Sequence, residues 1–407
     1  MKKTIIFLCM VSFLLISCNK DDLVLKTERK DISLSSTEIR VTEVNNGFGL
    51  NLFRTLCTQS SDNNIFISPF SVSIALSTIN NGAVGKTKEE IKNVLGFAGY
   101  SSEEMNGYFK KMTTELLALD PLVTLKAANS IWLGNHFSAK QGFVDVNKSC
   151  YDTEVHTLDF TSSTAHNIIN QWCSDKTNHR IPEVIREIDA NTRLLILNAL
   201  YFNGVWKNKF EKENTFEDIF VNEDGNTVGV SMMKQEYDAL YVKNELCEIA
   251  ELPFGNEAFN MLILLPHRKV DINLVIEQLT PDNWTEWTRK LDLACLDINF
   301  PKFKIDYKVN LKNICQDLGV ISAFTPSEAD FSDIADESLY IGLLQQNTFI
   351  EVNEEGAECA GSSMIELPSY SEEDSKYVPF YITRPFIFAI REKSTNALLF
   401  IGKVGHL

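Results

Sequence analysis

A chain of 407 residues, 44% hydrophobic and 10% aromatic, holds enough apolar material for one large domain or two ordinary ones, and it is not a disordered chain. Its formal net charge of −17 repels a polyanion along the whole approach, which excludes nucleic acid as a partner. Its six histidines never fall four apart, and no GxSxG, HExxH, Walker or GxGxxG pattern occurs, so neither a metal, a cofactor nor an enzymatic activity is expected.

The first residues have the form of a secretory signal: Lys2 and Lys3, an apolar run over 4–15 and the small Ser17. That run is shorter than the roughly 20 residues a spanning helix needs. Leu15, Ile16, Ser17 and Cys18 resemble the lipobox of bacterial lipoproteins, and Asn19, Lys20, Asp21 and Asp22 resemble the export tag of surface lipoproteins. The resemblance implies that residues 1–17 are removed and that Cys18 is acylated. It also implies that 18–42 form a polar tether, and that the protein crosses the inner membrane to be held, surface-exposed, on the outer membrane. Losing Lys2 and Lys3 moves the formal charge from −17 to −19. Beyond Cys9 and Cys18, seven scattered cysteines with no CxxC pair read as small core hydrophobes.

Apolar spacing predicts a helix over 44–56 and a polar turn over 60–64. A short strand, Asn64 to Ile67, then runs into Ser68, a good N-cap, with Pro69 at the first helical position. Residues 122–132 read as extended and 165–176 as helical. The almost unbroken apolar run over 194–202 suits a strand covered on both faces. Strand-like segments follow at 228–233, 239–241, 249–252 and 261–265. No repeat or linker interrupts the chain after about residue 42, so 43–407 is read as one large α+β domain.

Near the end, Phe349, Ile350 and Val352 make a strand that Asn353, Glu354, Glu355 and Gly356 break, and Gly356 can take backbone angles closed to other residues. If the chain beyond it extends, Ala357, Cys359, Gly361, Ser363 and Ile365 share one face, while Glu358, Ala360, Ser362, Met364 and Glu366 share the other. This is a segment suited to be a strand only part of the time. Residues 367–379 read as an exposed, protease-accessible loop, and a structureless loop of that length inside a compact domain points to function.

Several blocks, each bland alone, occur together in the order of the serpin family. Ser68 to Ser71 with Ser73 resembles the start of that family's helix B. The run 198–206, NALYFNGVW, resembles the third strand of its main sheet, with Asn198 at the shutter and Trp206 at the breach. Phe300 to Phe303, Leu318 to Phe324, Ala329 to Ser332, Arg384 to Phe386 and Phe400 to Val404 resemble later blocks. The resemblance implies the serpin fold: three β-sheets, about eight or nine helices and an exposed reactive-centre loop over about 354–379. Glu354, Glu355, Gly356, Ala357, Glu358, Cys359, Ala360 and Gly361 resemble the inhibitory hinge. Counting fourteen positions from Gly356 then puts the cleaved bond between Tyr370 and Ser371. An aromatic bait implies serine proteases with deep apolar pockets, chymotrypsin-like, elastase-like or subtilisin-like, as partners of a monomeric suicide inhibitor. Papain-like cysteine proteases are a further class of target.

The chain departs from the family at two places. Gln346 stands where a histidine commonly bonds the shutter asparagine; its amide both donates and accepts, and so suits Asn198. Pro385 lies fifteen residues after Tyr370 where about eleven are expected, and Glu372, Glu373 and Asp374 fill part of the extra length. Lys302 aligns with a lysine that pairs with the loop-base glutamate, here Glu354, a contact worth under about 1 kcal/mol if exposed. The competing readings are a non-inhibitory serpin that binds or carries a ligand, and an unrelated nutrient-binding lipoprotein.

Overall fold

The computed structural model describes residues 28–177, 179–189, 192–357 and 377–407. Cys18 and the loop residues Glu358, Cys359, Ala360, Gly361, Tyr370 and Ser371 lie outside them.

Helix α1 (Ser36–Gln59) begins ahead of the apolar spacing that predicts it. Ser35 Oγ accepts from the Glu38 N–H at 3.3 Å and the Glu38 carboxylate accepts from the Ser35 N–H at 2.7 Å, a capping box that starts the helix at Ser36. The first turns therefore take in residues 36–42, which the sequence reading assigns to the tether, and Ile32, Val41 and Thr42 are buried. Strand β1 (Asn64–Ile67) leads into α2 (Pro69–Asn80) through the Ser68 cap, as the sequence predicts. All twelve residues of α2 are buried, because it lies between the two sheets and meets strands of both.

The chain continues through α3 (Gly85–Val94), α4 (Ser102–Ala118), β2 (Val123–Gly134), α5 (Gln141–Tyr151), β3 (Thr153–Leu158), α6 (Ala165–Lys176) and β4 (Leu194–Val205). Next come β5 (Phe216–Val221), β6 (Thr227–Lys243), β7 (Cys247–Pro253), β8 (Phe259–Pro266), α7 (Ile272–Glu277), α8 (Pro281–Arg289), β9 (Asp292–Pro301) and β10 (Phe303–Asn310). Helix α9 (Lys312–Leu318), β11 (Ile341–Asn353), β12 (Gly356–Ala357), β13 (Val378–Tyr381), β14 (Phe386–Glu392) and β15 (Leu398–Val404) close the chain.

The strands form a six-stranded sheet in the order β10-β11-β12-β4-β2-β3 and a nine-stranded one in the order β1-β15-β14-β8-β7-β6-β9-β13, with β5 on β6. The segments predicted at 228–233 and 239–241 are one strand, β6. It pairs in turn with β5, β9 and β7 and so joins two of the three expected sheets. Phe66 stacks on Phe388 and Phe400, each at 5.4 Å, in the core between the sheets. A second core lies on the other face of the six-stranded sheet, where Ile169 and Cys173 of α6 meet Trp132, Leu195, Leu197 and Phe349. Strand β4 reads as continuously apolar because Leu194 and Ile196 enter the first core while Leu195 and Leu197 enter the second. Burial pushes the thiols of Cys57, Cys173, Cys247 and Cys315 up to about 12.

Candidate functional site: the hinge and the seam that receives it

Strands β4 and β11 run parallel and pair directly from Ile341 opposite Leu194 to Asn347 opposite Ala199. Higher up, the chain turns back at Glu354 and Glu355 and β12 enters between them, antiparallel to both. Gly356 sits between Asn353 and Val205, and Ala357 between Val352 and Gly204. Gly356 and Ala357, within the segment that resembles a hinge, are therefore already part of the sheet, and Ala357 has no exposed surface. A Cβ on Gly356 would stand 2.1 Å from the Gly204 carbonyl oxygen, and one on Gly204 would stand 2.8 Å from the Phe202 ring and 2.9 Å from that of Phe254. Close approach of two backbones is what requires glycine here.

Trp206 ties this entry point to the strand behind it. Its Nε1 donates to the Asn353 carbonyl at 2.9 Å, and its main-chain N–H donates to the Glu355 carbonyl at 2.9 Å. The Phe210 N–H donates to the Glu354 carbonyl at 3.1 Å, so both turn carbonyls are satisfied. The indole stacks on Phe254 with centroids 4.4 Å apart and planes 11° apart.

The Glu354 carboxylate receives Lys302 Nζ at 3.0 Å and Thr215 Oγ1 at 2.9 Å. Burial works against its charge, but hydrogen bonds from its own main-chain N–H, Lys302 and Thr215 outweigh that and hold the carboxyl below the usual range. The expected Lys302 pair is present and only half exposed: the glutamate side chain keeps 7% of its surface and the lysine 40%. Glu355 is held low chiefly by Lys209, with Lys212 adding to it, at 2.8 and 3.2 Å. Sequence reasoning missed Lys209, Lys212 and Thr215. Its one available signal was the group Lys207, Lys209 and Lys212 directly after Trp206 in an acidic chain.

At the level where direct pairing ends, Gln346 lies opposite Asn198 in register. Its amide is committed elsewhere: Nε2 donates to the Ser68 carbonyl and Oε1 accepts from the Ser68 N–H, both at 3.0 Å. The Asn198 side chain lies outside the description. Ser68 Oγ donates to the Leu399 carbonyl at 2.7 Å and accepts from the Ser71 N–H at 3.3 Å, and Thr348 Oγ1 donates to the Phe66 carbonyl at 2.5 Å. One face of β11 is thus fastened to β1 and to the start of α2. The hinge positions from Glu358 to Gly361 and the bait at Tyr370 and Ser371 fall outside the described residues.

A family profile described as Serpin (serine protease inhibitor) matches residues 43–407. Serpin B6 of Pongo abelii is 31% identical over 373 residues, 89% of this chain and 98% of that protein. Among solved structures, the thermophilic serpin tengpin in its native state is similar at a TM-score of 0.85 and 28% identity, covering 94% of this chain and 97% of that one. Thyroxine-binding globulin in complex with thyroxine is similar at a TM-score of 0.82 and 26% identity, covering 90% and 99%. A two-residue strand entering an otherwise closed parallel seam, with the profile match over nine-tenths of the chain, has one reading: the chain belongs to the serpin family.

Proposed function

We propose that the chain is an irreversible suicide-substrate inhibitor of serine proteases with apolar primary pockets, and that papain-like cysteine proteases are a further class of target. The observation that carries this reading is the seating of Gly356 and Ala357 between β4 and β11. A protease serine attacks the Tyr370 carbonyl, the bond to Ser371 breaks, and the new amine of Ser371 leaves with a proton, so that the loop stays bound to the enzyme as an ester. Freed at one end, the loop continues β12 downward, and strand addition of this kind is a known mode of recognition.

Extending the register sets residue 358 opposite Asn203 and Glu351, and residue 367 opposite Leu194, so the seam has room for ten more residues. Cys359, Gly361, Ser363 and Ile365 then follow Ala357 onto the face of the main core, and Ser363 arrives between Asn198 and Gln346. About ten new ladder positions at roughly 1 kcal/mol each, less the short parallel ladder that is broken, drive the loop in and drag the acylated protease with it. In this reading Cys18 carries the lipid, and the domain is held, surface-exposed, on the outer membrane of a bacterium.

One observation favours a second reading as a carrier. A recess of about 720 Å³ opens between α1 and α8, and at its wall Trp284 Nε1 is buried without a hydrogen-bond partner. The mature protein should be incubated with chymotrypsin-like, elastase-like, subtilisin-like and trypsin-like proteases, and the products run under denaturing conditions. A stable covalent complex together with a released peptide beginning at Ser371 supports the inhibitor; complete cleavage with no complex supports the carrier. Acyl-labelling of the full-length protein, lost in Cys18→Ala, tests the anchor.

A further inference from the structure

The residues ahead of α1 belong to the domain. Ile32 is buried, and its N–H donates to Ser394 Oγ at 3.0 Å in the turn between β14 and β15. That hydroxyl donates in turn to the Glu392 carboxylate at 2.7 Å. Leu34 packs against the main core, and Ser35 caps α1.

Hydrogen bonds trace where that turn lies in the fold. The Lys393 N–H donates to the Ala258 carbonyl at 2.9 Å, which sets the turn beside the tip of the β7–β8 hairpin. The same tip meets the end of β4: the Gly255 N–H donates to the Val205 carbonyl at 2.8 Å, and the Lys207 N–H to the Pro253 carbonyl at 2.9 Å. Charge follows the same line. Burial works against the Glu257 charge, but Lys207, Lys393 and Arg29 together outweigh it and hold the carboxyl below the usual range. The charge of Arg29 thus reaches the hairpin tip that carries Phe254, the ring stacked on Trp206. The N-terminal segment is therefore docked at the end of the six-stranded sheet where β12 enters, and not at the opposite end, where Leu194 and Ile341 begin β4 and β11.

Glu28 stands ten positions after Cys18, and that length of chain spans at most about 35 Å when fully extended. A tether running to residue 42 would span about 85 Å. A lipid on Cys18 therefore keeps the entry end close to the bilayer, while the opposite end, about 35 Å further along β4, is under no such limit.

We infer that the docked N-terminal segment presents the entry end of the domain to the lipid surface, so that loop insertion carries a trapped protease away from the bilayer. The inference rests on the two readings above, acylation of Cys18 and insertion of the cleaved loop, and adds the direction in which they combine. Before cleavage the loop leaves the sheet at Ala357, on the end held near the lipid. Insertion sets residue 367 opposite Leu194, so the acyl bond at Tyr370 passes the far end of β4, about 35 Å or more along the strand.

Full-length acylated protein should be placed in vesicles that carry energy-acceptor lipids, with a donor fluorophore at one of two exposed positions. Glu213, beside the Lys212 that pairs with Glu355, marks the entry end; Glu337, four residues ahead of Ile341, marks the other. Transfer from position 213 is expected to exceed that from 337 by about twofold or more. An insertion of about twenty Gly-Ser residues after position 27 lengthens the reach and should reduce the excess. Ile32→Asp, which undocks the segment, should act in the same direction. Equal transfer from both positions, greater transfer from 337, or an excess unmoved by either variant overturns the orientation and leaves the anchor intact. Protein that takes no acyl label and leaves the vesicles on washing overturns both. A donor carried by the protease tests the second half: its transfer should fall as a denaturant-stable complex forms. A stable complex with unchanged transfer overturns the carriage alone, whereas cleavage with no complex overturns the carriage and the inhibitor reading together.

Discussion

The amide of Gln346 and the peptide groups of Ser68 bond reciprocally, donor to carbonyl and carbonyl to donor, each at 3.0 Å. Ser68 also caps α2 and bonds Leu399 of β15, so this single pair connects the seam to the second sheet. The Ser68 carbonyl has another donor in the Val72 N–H at 3.1 Å, whereas its own N–H depends on Gln346. Gln346→Leu buries that N–H unsatisfied and is expected to lower stability by about 1–3 kcal/mol. Denaturant unfolding checks this: the midpoint falls with little change in slope, and an unchanged midpoint rejects the role.

Gly356→Val places a side chain against backbone, where nothing can yield. The expected outcome is expulsion of β12, seen as loss of amide-exchange protection at Trp206 and Ala357 while β4 below Gly204 stays protected. Retained protection at those two amides contradicts the close approach.

Ala357 is fully enclosed, and a charged side chain there cannot enter the sheet without a buried partner. Under the proposed mechanism Ala357→Arg turns an inhibitor into a substrate, raising the number of loops cleaved per enzyme inactivated several-fold or more. Quantitative titration against an inhibited protease gives that number, and an unchanged value rules out insertion.

Trp206→Phe keeps the stack on Phe254 and deletes the bond from Nε1 to Asn353. A loss of about 1 kcal/mol is expected, confined to the upper end of the seam. Native-state hydrogen exchange distinguishes this local loosening from a global one.

The hinge carboxylates give a pH dependence with a definite sign. Glu354 and Glu355 are held below the usual carboxylate range, so they bind fewer protons folded than unfolded. Their contribution is in place above the unfolded value of about 4.3 and is lost as pH falls through the lower folded values. Wild type should therefore exceed Glu354→Gln in melting temperature at pH 7, and the gap should close toward pH 3. A gap independent of pH refutes the ion pair with Lys302 as its source.

Local chemistry made several elements legible in the chain. Helix α6 is read over its observed residues, and Ser68 with Pro69 marks the start of α2, because capping and 3.6-residue spacing are properties of neighbours. The start of α1 was legible too, in Ser35 and Glu38, but apolar spacing alone overlooks a polar first turn. Strand β6 reads as two pieces because successive stretches of it face β5, β9 and β7, and its burial pattern changes with the partner. Gln346 was recognised as a departure, yet its partner is a peptide group 278 residues away that no pattern predicts. Lys209, Lys212 and Thr215 went unread for the same reason: nothing in their spacing links them to the turn at Glu354 and Glu355.

By itself the sequence marked the segment after Asn353 as a candidate hinge, since a glycine, small alternating residues and a break in a strand are local facts of composition. Only the tertiary structure decided how far that hinge is seated at rest. Entry stops being a matter of composition once Gly356 meets Gly204, Trp206 grips Asn353, and Gln346 fastens β11 to Ser68 below. How much of a strand is admitted depends on the register of three segments distant in the chain, and registers are set by pairing across space.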